Sequence, residues 1–201
     1  MNALDIEYLR LIATLAAALV ALRQYLRAQA WKRMEFVARE VQQFRTSPAV
    51  GRVLIMLNWD GGTIDLGWRD MVCQTAKVTP DLVVRALQLP DEICSKQTEL
   101  EALVRHQFEQ FVEFLEHFET VISAGLVKGG DLGPYVENVM SDLSGNGRVQ
   151  RSLLEAFWTF VDSYGHEKAR RLVQRFHPTL PEALPEMPSL RVVVGRICGA
   201  I

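Results

Sequence analysis

Five side chains on one stretch of chain have the types and spacing to do chemistry: His106, Glu109, Glu113, Glu116 and His117. Carboxylates and imidazoles at such intervals on a helix can hold two metal ions inside a helical bundle. At about 100° per residue, all five fall within roughly 100° of one another. Phe111, Leu115 and Phe118 lie on the opposite side of the same helix. A di-metal site must point into the bundle, whereas this face points away from its own apolar stripe. No Glu-x-x-His motif elsewhere supplies the other half of such a site. The residues therefore favour a solvated acidic face, with His106, Glu109, Glu113 and His117 as the weak candidates for a metal- or cofactor-binding bundle.

A second set is cationic. Lys168, Arg170, Arg171 and Arg175 share the last helical stretch, with Arg148 and Arg151 upstream. Such residues can contact phosphate or anionic lipid, and Arg170, Arg171 and Arg175 are the candidates for it. Cations near a helix C-terminus are also favoured by the helix dipole alone, so an ordinary solvated face is the plainer reading.

The remaining motifs read as structure. Asp60, Asp65 and Asp70 are too widely spaced for a calcium loop. Lys128-Gly129-Gly130-Asp131 and Gly145-Asn146-Gly147 match neither a phosphate loop nor a dinucleotide fingerprint, and read as turns between helices. Trp59 and Trp68 flank the first loop; packing of that loop onto helices is favoured over a ligand groove. No serine stands in a nucleophile elbow. Cys73, Cys94 and Cys198 are distant from one another and odd in number, which argues against a disulfide framework or a zinc site and for reduced thiols. No cofactor is expected, and the formal net charge of −2 creates no field to attract nucleic acid.

These residues must be positioned by helices. The chain has 201 residues, 49% of them hydrophobic, which suits one domain with an appendage. Met34, Val37, Val41 and Phe44 form a one-sided stripe that continues an N-terminal helix. Ser47-Pro48 reads as an N-cap followed by a first-turn proline, opening a helix with Val50, Val53, Leu54 and Leu57. Asn58 to Gly67 reads as a loop, and Thr79-Pro80-Asp81 as a further helix start, with a stop at Pro90. Thr98 and Glu101 form a capping box for the clearest soluble helix, which carries Leu100, Leu103, Val104, Phe108, Phe111, Leu115, Phe118 and Ile122 and stops at Gly125. Asp131 caps a short helix, and Val149 to Phe176 holds two helical stretches broken near Tyr164-Gly165. No alternating run is long enough for a sheet, so the expected fold is all-α: an N-terminal membrane-anchor helix continuing into a small helical bundle. The expected division is an apolar helix over residues 1–30, a cytosolic helical domain over 31–177, and a tail over 178–201. The tail is proline-rich, with Pro178, Pro181, Pro185 and Pro188, and ends in an apolar segment.

The strongest signal is LIATLAAALVAL, from Leu11 to Leu22. It carries no charge, Thr14 is its only polar residue, and its apolar side chains run all round the helix, as in a helix buried on every side. Leu11, Leu15, Leu19 and Leu22 mark the membrane-anchor candidate. Twelve residues give only about 18 Å, against a hydrocarbon core of about 30 Å, while Leu4 to Leu22 gives roughly 28 Å with Asp5, Glu7 and Arg10 near the outer interface. A buried core or oligomer helix is the alternative. Asp5 and Glu7 precede the run; Arg23, Arg27, Lys32 and Arg33 follow it, which places the rest of the chain inside the cell. The acidic start argues against a cleaved signal peptide.

Several segments together resemble a known pattern: Phe36-Val37-x2-Glu40-x3-Phe44, Leu57-Asn58-Trp59-Asp60, Phe111-x2-Phe114-Leu115-Glu116-x-Phe118, Gly125-Leu126-Val127 and Asp131-Leu132-x2-Tyr135. The chain is similar in these to an uncharacterised bacterial family, domain of unknown function 4760, over most of residues 1–176. The resemblance implies a helical, membrane-tethered bacterial protein and carries over no catalytic residues. Together these readings predict a single-pass inner (cytoplasmic) membrane protein with its C-terminal domain cytoplasmic. Its expected role is interaction or scaffolding, with membrane lipid and a protein partner or second copy as its partners. A metal- or cofactor-binding bundle enzyme and a regulatory anion or nucleic-acid binder are the alternatives.

Overall fold

The computed structural model describes residues 3–59, 61–67, 75–88 and 98–178. All three cysteines, Asp60, Trp68, Asp70, Pro90 and the prolines from Pro181 onward lie outside the described residues.

Among the described residues there are seven helices and two short strands. The first helix, α1 (Ala3–Thr46), runs unbroken for 44 residues, about 66 Å. Its sequence contains neither glycine nor proline, so nothing interrupts the hydrogen-bond ladder. It ends where Ser47 precedes Pro48: the proline ring forces the residue before it into extended conformation, and Ser47 has φ −66° and ψ 121°. The same proline opens α2 (Pro48–Asn58). The expected serine cap differs in one respect, because the Ser47 side chain makes no capping hydrogen bond. Proline has no N–H to satisfy at the first position, and its fixed φ supplies the helix start.

Two strands follow, β1 (Gly62–Asp65) and β2 (Thr75–Val78), paired antiparallel with Gly62 opposite Val78 and Asp65 opposite Thr75. This corrects the expectation of a plain loop through Gly67 and of no sheet at all. Each strand is only four residues long, too short for alternation to show, and each is held by a partner rather than by local preference. Ile64, Leu66 and Val78 turn into the core while Thr63, Asp65 and Lys77 stay out. The chain remains overwhelmingly helical.

Helix α3 (Pro80–Leu87) begins at Thr79, whose hydroxyl accepts the Leu82 N–H at 3.3 Å. Helix α4 (Glu99–Ser123) begins with the full capping box: Thr98 Oγ1 accepts from Glu101 N, and Glu101 Oε2 accepts from Thr98 N. It ends at Gly125, with φ +71°, where Leu126 N bonds Val121 O and Gly125 N bonds Ile122 O. That paired pattern needs a left-handed residue, which glycine provides without steric cost. Helices α5 (Gly129–Leu143), α6 (Arg151–Ser163) and α7 (Glu167–Phe176) complete the body. Asp131 is the third residue of α5 rather than its cap; its carboxylate accepts the Lys128 N–H at 3.4 Å.

Helix α4 is the centre of the body, in contact with α2, α3 and α7. Its apolar stripe, Leu103, Val104, Phe108, Phe111, Leu115, Phe118 and Ile122, is buried as its spacing predicts. Phe157 of α6 meets Phe108 and Phe111, each with ring centroids 6.3 Å apart. Phe44 of α1 meets Phe111, Phe114 and Phe118 at 6.3, 5.8 and 5.3 Å. With Val37 and Val41, Phe44 fixes the second half of α1 to the body. From Leu11 to Lys32 every side chain is exposed, and Arg33 is the first that is partly covered.

Candidate functional site

The membrane-anchor candidates sit on the free half of α1. Leu11, Leu15, Leu19 and Leu22 expose 57, 57, 66 and 54% of their surface. A soluble domain leaves single apolar side chains in water, but not a continuous rod of them. This segment lies within the one helix, among the described residues, that is long and apolar enough to cross a membrane, and none of its apolar window is buried in the body. Packing inside the body, the alternative considered from sequence, does not occur among the described residues. Thr14 is satisfied locally: its hydroxyl donates to Arg10 O at 2.8 Å, so the only polar side chain of the run brings no unmet hydrogen bond.

The α4 polar face is divided between two neighbouring elements and α4 itself rather than assembled into one centre. His117 Nε2 lies 2.8 Å from Glu40 Oε2 of α1. His166 Nδ1, just before α7, lies 3.2 Å from Glu116 Oε2. His106 stays on α4, 2.9 Å from Gln110 Nε2 and 3.6 Å from Glu109 Oε2. Glu113 is exposed. The face is thus less solvated than its sequence suggests: α1 and the start of α7 lie over parts of it, and two of its side chains tie those elements down. Among the described residues no group of three or more His, Cys, Asp or Glu is placed to hold a metal ion.

The α7 arginines are each matched to a carboxylate, while Lys168 Nζ donates to Thr120 Oγ1 at 3.3 Å. Arg170 pairs with Asp162 at 2.5 and 3.0 Å and stacks over the Trp158 ring at 4.8 Å. Arg171 pairs with Glu167 at 3.0 Å. Arg175 forms a two-point pair with Glu119, Nη2 to Oε1 at 2.6 Å and Nε to Oε2 at 3.1 Å. Burial alone would raise the Glu119 carboxyl, but hydrogen bonds from Arg175 and Ser123, with the charges of Arg175 and Arg171, hold it below the ordinary range. The Glu119 carboxylate in turn holds Arg175 above its usual value. An open groove beside this pair is lined by Gly129, Gly130, Gly133, Glu137, Arg175 and Phe176.

Sequence reasoning missed Glu119, though a signal was present. It stands four residues after Leu115 and eight after Phe111, which puts a carboxylate on the core face of the helix. It also missed Arg105, whose guanidinium caps the end of α3: Nε donates to Ala86 O at 2.8 Å and Nη2 to Gln88 O, while Nη1 donates to Tyr164 Oη at 3.0 Å. Nothing local in the sequence marks that role, because its partners come from α3 and the α6–α7 turn. Trp59, at the end of α2, is exposed and lies against Gly62 beside a small cleft between α2 and the hairpin.

Comparison of the chain with family models, with curated proteins and with solved structures finds no match. The class defined by fold and surface is therefore what the molecule itself displays: a helical bundle carrying one free apolar helix of membrane-spanning length near its N-terminus.

Proposed function

We propose that this chain is a membrane-tethered interaction or scaffold protein, held as a single-pass protein in the cytoplasmic (inner) membrane with its helical body on the cytoplasmic side. The observation that carries the reading is the unbroken exposure of apolar side chains from Leu11 to Leu22 on a helix whose second half packs into the body. Lipid is the partner that relieves such a rod at no cost in packing specificity. Orientation follows from the charges: Asp5 and Glu7 on one side, and Arg23, Arg27, Lys32 and Arg33 on the other. The bundle's contribution is to present a folded surface at a fixed distance from the bilayer, to a protein partner or to a second copy of the chain.

The test is alkaline carbonate extraction of membranes containing the full chain or the double variant Leu15→Asp/Leu19→Asp. Each aspartate at the centre of a span disfavours insertion by about 2.5–3.5 kcal/mol. The wild-type chain should stay in the pellet and the variant should move to the supernatant. A wild-type chain that is extracted like a soluble protein ends the proposal. A C-terminal fluorescent protein fusion that glows, alongside a C-terminal alkaline phosphatase fusion that is inactive, supports the cytoplasmic orientation; the reverse pair overturns it.

A further inference from the structure

We infer that the segment of α1 between the apolar run and the body is a collar that binds anionic lipid headgroups, through Arg23, Arg27 and Lys32. The inference rests on the anchor reading above and goes beyond it in naming a ligand. Three observations carry it. First, residues 23–34 hold four cations and no acid, and the next charged residue is Glu35. Second, among the described residues six cations of the body are taken up by carboxylates, and Arg23, Arg27 and Lys32 are not. Arg33 pairs with Asp131 at 2.9 Å, and Arg85, Arg151, Arg170, Arg171 and Arg175 each lie against a carboxylate. Among the described residues no carboxylate pairs with Arg23, Arg27 or Lys32, and all three are exposed. Third, the body begins at Arg33, so no packed element covers the collar.

Depth and direction fit the ligand. With Leu22 at the edge of the hydrocarbon, Arg23 to Lys32 rise through about 14 Å, against a headgroup layer of about 5–8 Å on each side. Arg23 and Arg27 stand at headgroup depth, and Lys32 lies within about a Debye length of it. Around the axis Arg23 and Arg27 are about 40° apart and Lys32 is about 180° from Arg23. The charge therefore rings the helix instead of forming one polar stripe. A helix lying flat in the interface would segregate its charges to one side; a ring suits a helix that headgroups surround. Exposed Tyr25 and Trp31 occupy the same zone, where amphipathic rings favour the boundary between apolar and wet layers. Arg170, Arg171 and Arg175 of α7 are the weaker candidates for this contact, because each already faces a carboxylate.

The experiment uses the full chain in phosphatidylcholine vesicles carrying a trace of spin-labelled phosphatidylserine or spin-labelled phosphatidylcholine. The fraction of each label immobilised by the protein is read by electron paramagnetic resonance. Phosphatidylserine should be preferred several-fold at low salt, each removed cation weakening the preference by up to about fivefold. Arg23→Gln/Arg27→Gln/Lys32→Gln should abolish the preference, as should raised salt, while Arg170→Gln/Arg171→Gln should leave it intact. Equal immobilisation of the two labels by the wild-type chain, or an undiminished preference in the triple variant, overturns the collar and leaves the anchor standing. A chain that fails to float with the vesicles and immobilises neither label overturns both.

Discussion

Glu119 and Arg175 meet across 56 residues of sequence, with two hydrogen bonds between a carboxylate almost wholly buried on α4 and a guanidinium near the end of α7. The pair holds the last helix against the central one, and Ser123 Oγ completes it by donating to Glu119 Oε1 at 2.8 Å.

Arg175→Ala leaves that carboxylate buried without its cation. Breaking a buried pair costs about 3–5 kcal/mol. The guanidinium here is 42% exposed, so water relieves part of the loss and about 2 kcal/mol is expected. Urea unfolding of the full chain in mild detergent measures it. Arg171→Ala, which loses only an exposed pair, should change the midpoint by far less.

The pair also sets a pH dependence. The Glu119 carboxyl lies below the ordinary carboxylate value of 4.5, so the unfolded chain takes up the proton more readily than the native one. The stabilisation is complete above pH 4.5 and is lost as pH falls through the lower native value. Glu101 works in the same direction, lowered by the Thr98 N–H and by Arg85. Glu119→Gln should therefore be less stable than wild type at neutral pH and show a flatter acid limb. Stability measured from pH 6 downward tests this, and parallel curves for the two proteins would contradict it.

Phe44 is the principal rivet between α1 and the body. Removing its ring by Phe44→Ala should cost about 3–5 kcal/mol, as for other fully buried aromatic side chains. The loss should appear first as loosening of α1 from α4. Hydrogen exchange should rise in residues 36–46 before it rises in the α4 core around Phe111, because among the described residues the rings Phe44 touches belong to α4.

Gly125→Ala isolates a backbone effect. The residue has φ +71°, and a Cβ there would meet no atom within 4 Å. The expected destabilisation of about 1 kcal/mol is the left-handed conformation alone. Gly125→Asn should cost less, since asparagine tolerates that region. Thermal unfolding of the two variants side by side checks the order.

Much of this architecture was legible from residue spacing, because helices advertise themselves locally. The α4 stripe, the Thr98–Glu101 capping box and the Gly125 stop each depend on neighbours within four or five residues. The hairpin was not legible: Ile64 and Val78 need each other's strands, and neither segment alternates for long enough to announce itself. The polar face of α4 was legible as a face but not as a set of contacts. Glu40 and His166 reach His117 and Glu116 from 77 and 50 residues away.

Taken alone, the sequence determined that Leu11–Leu22 is apolar on every side and that charge collects at its C-terminal end. Helical periodicity and charge order are properties of adjacent residues, so no fold is needed to read them. Only the tertiary structure decided that this run stays outside the body, and that the arginines of α7 are matched by carboxylates while, among the described residues, Arg23 and Arg27 are not. Exposure and pairing are settled by which distant segments arrive, and that depends on how the whole chain packs.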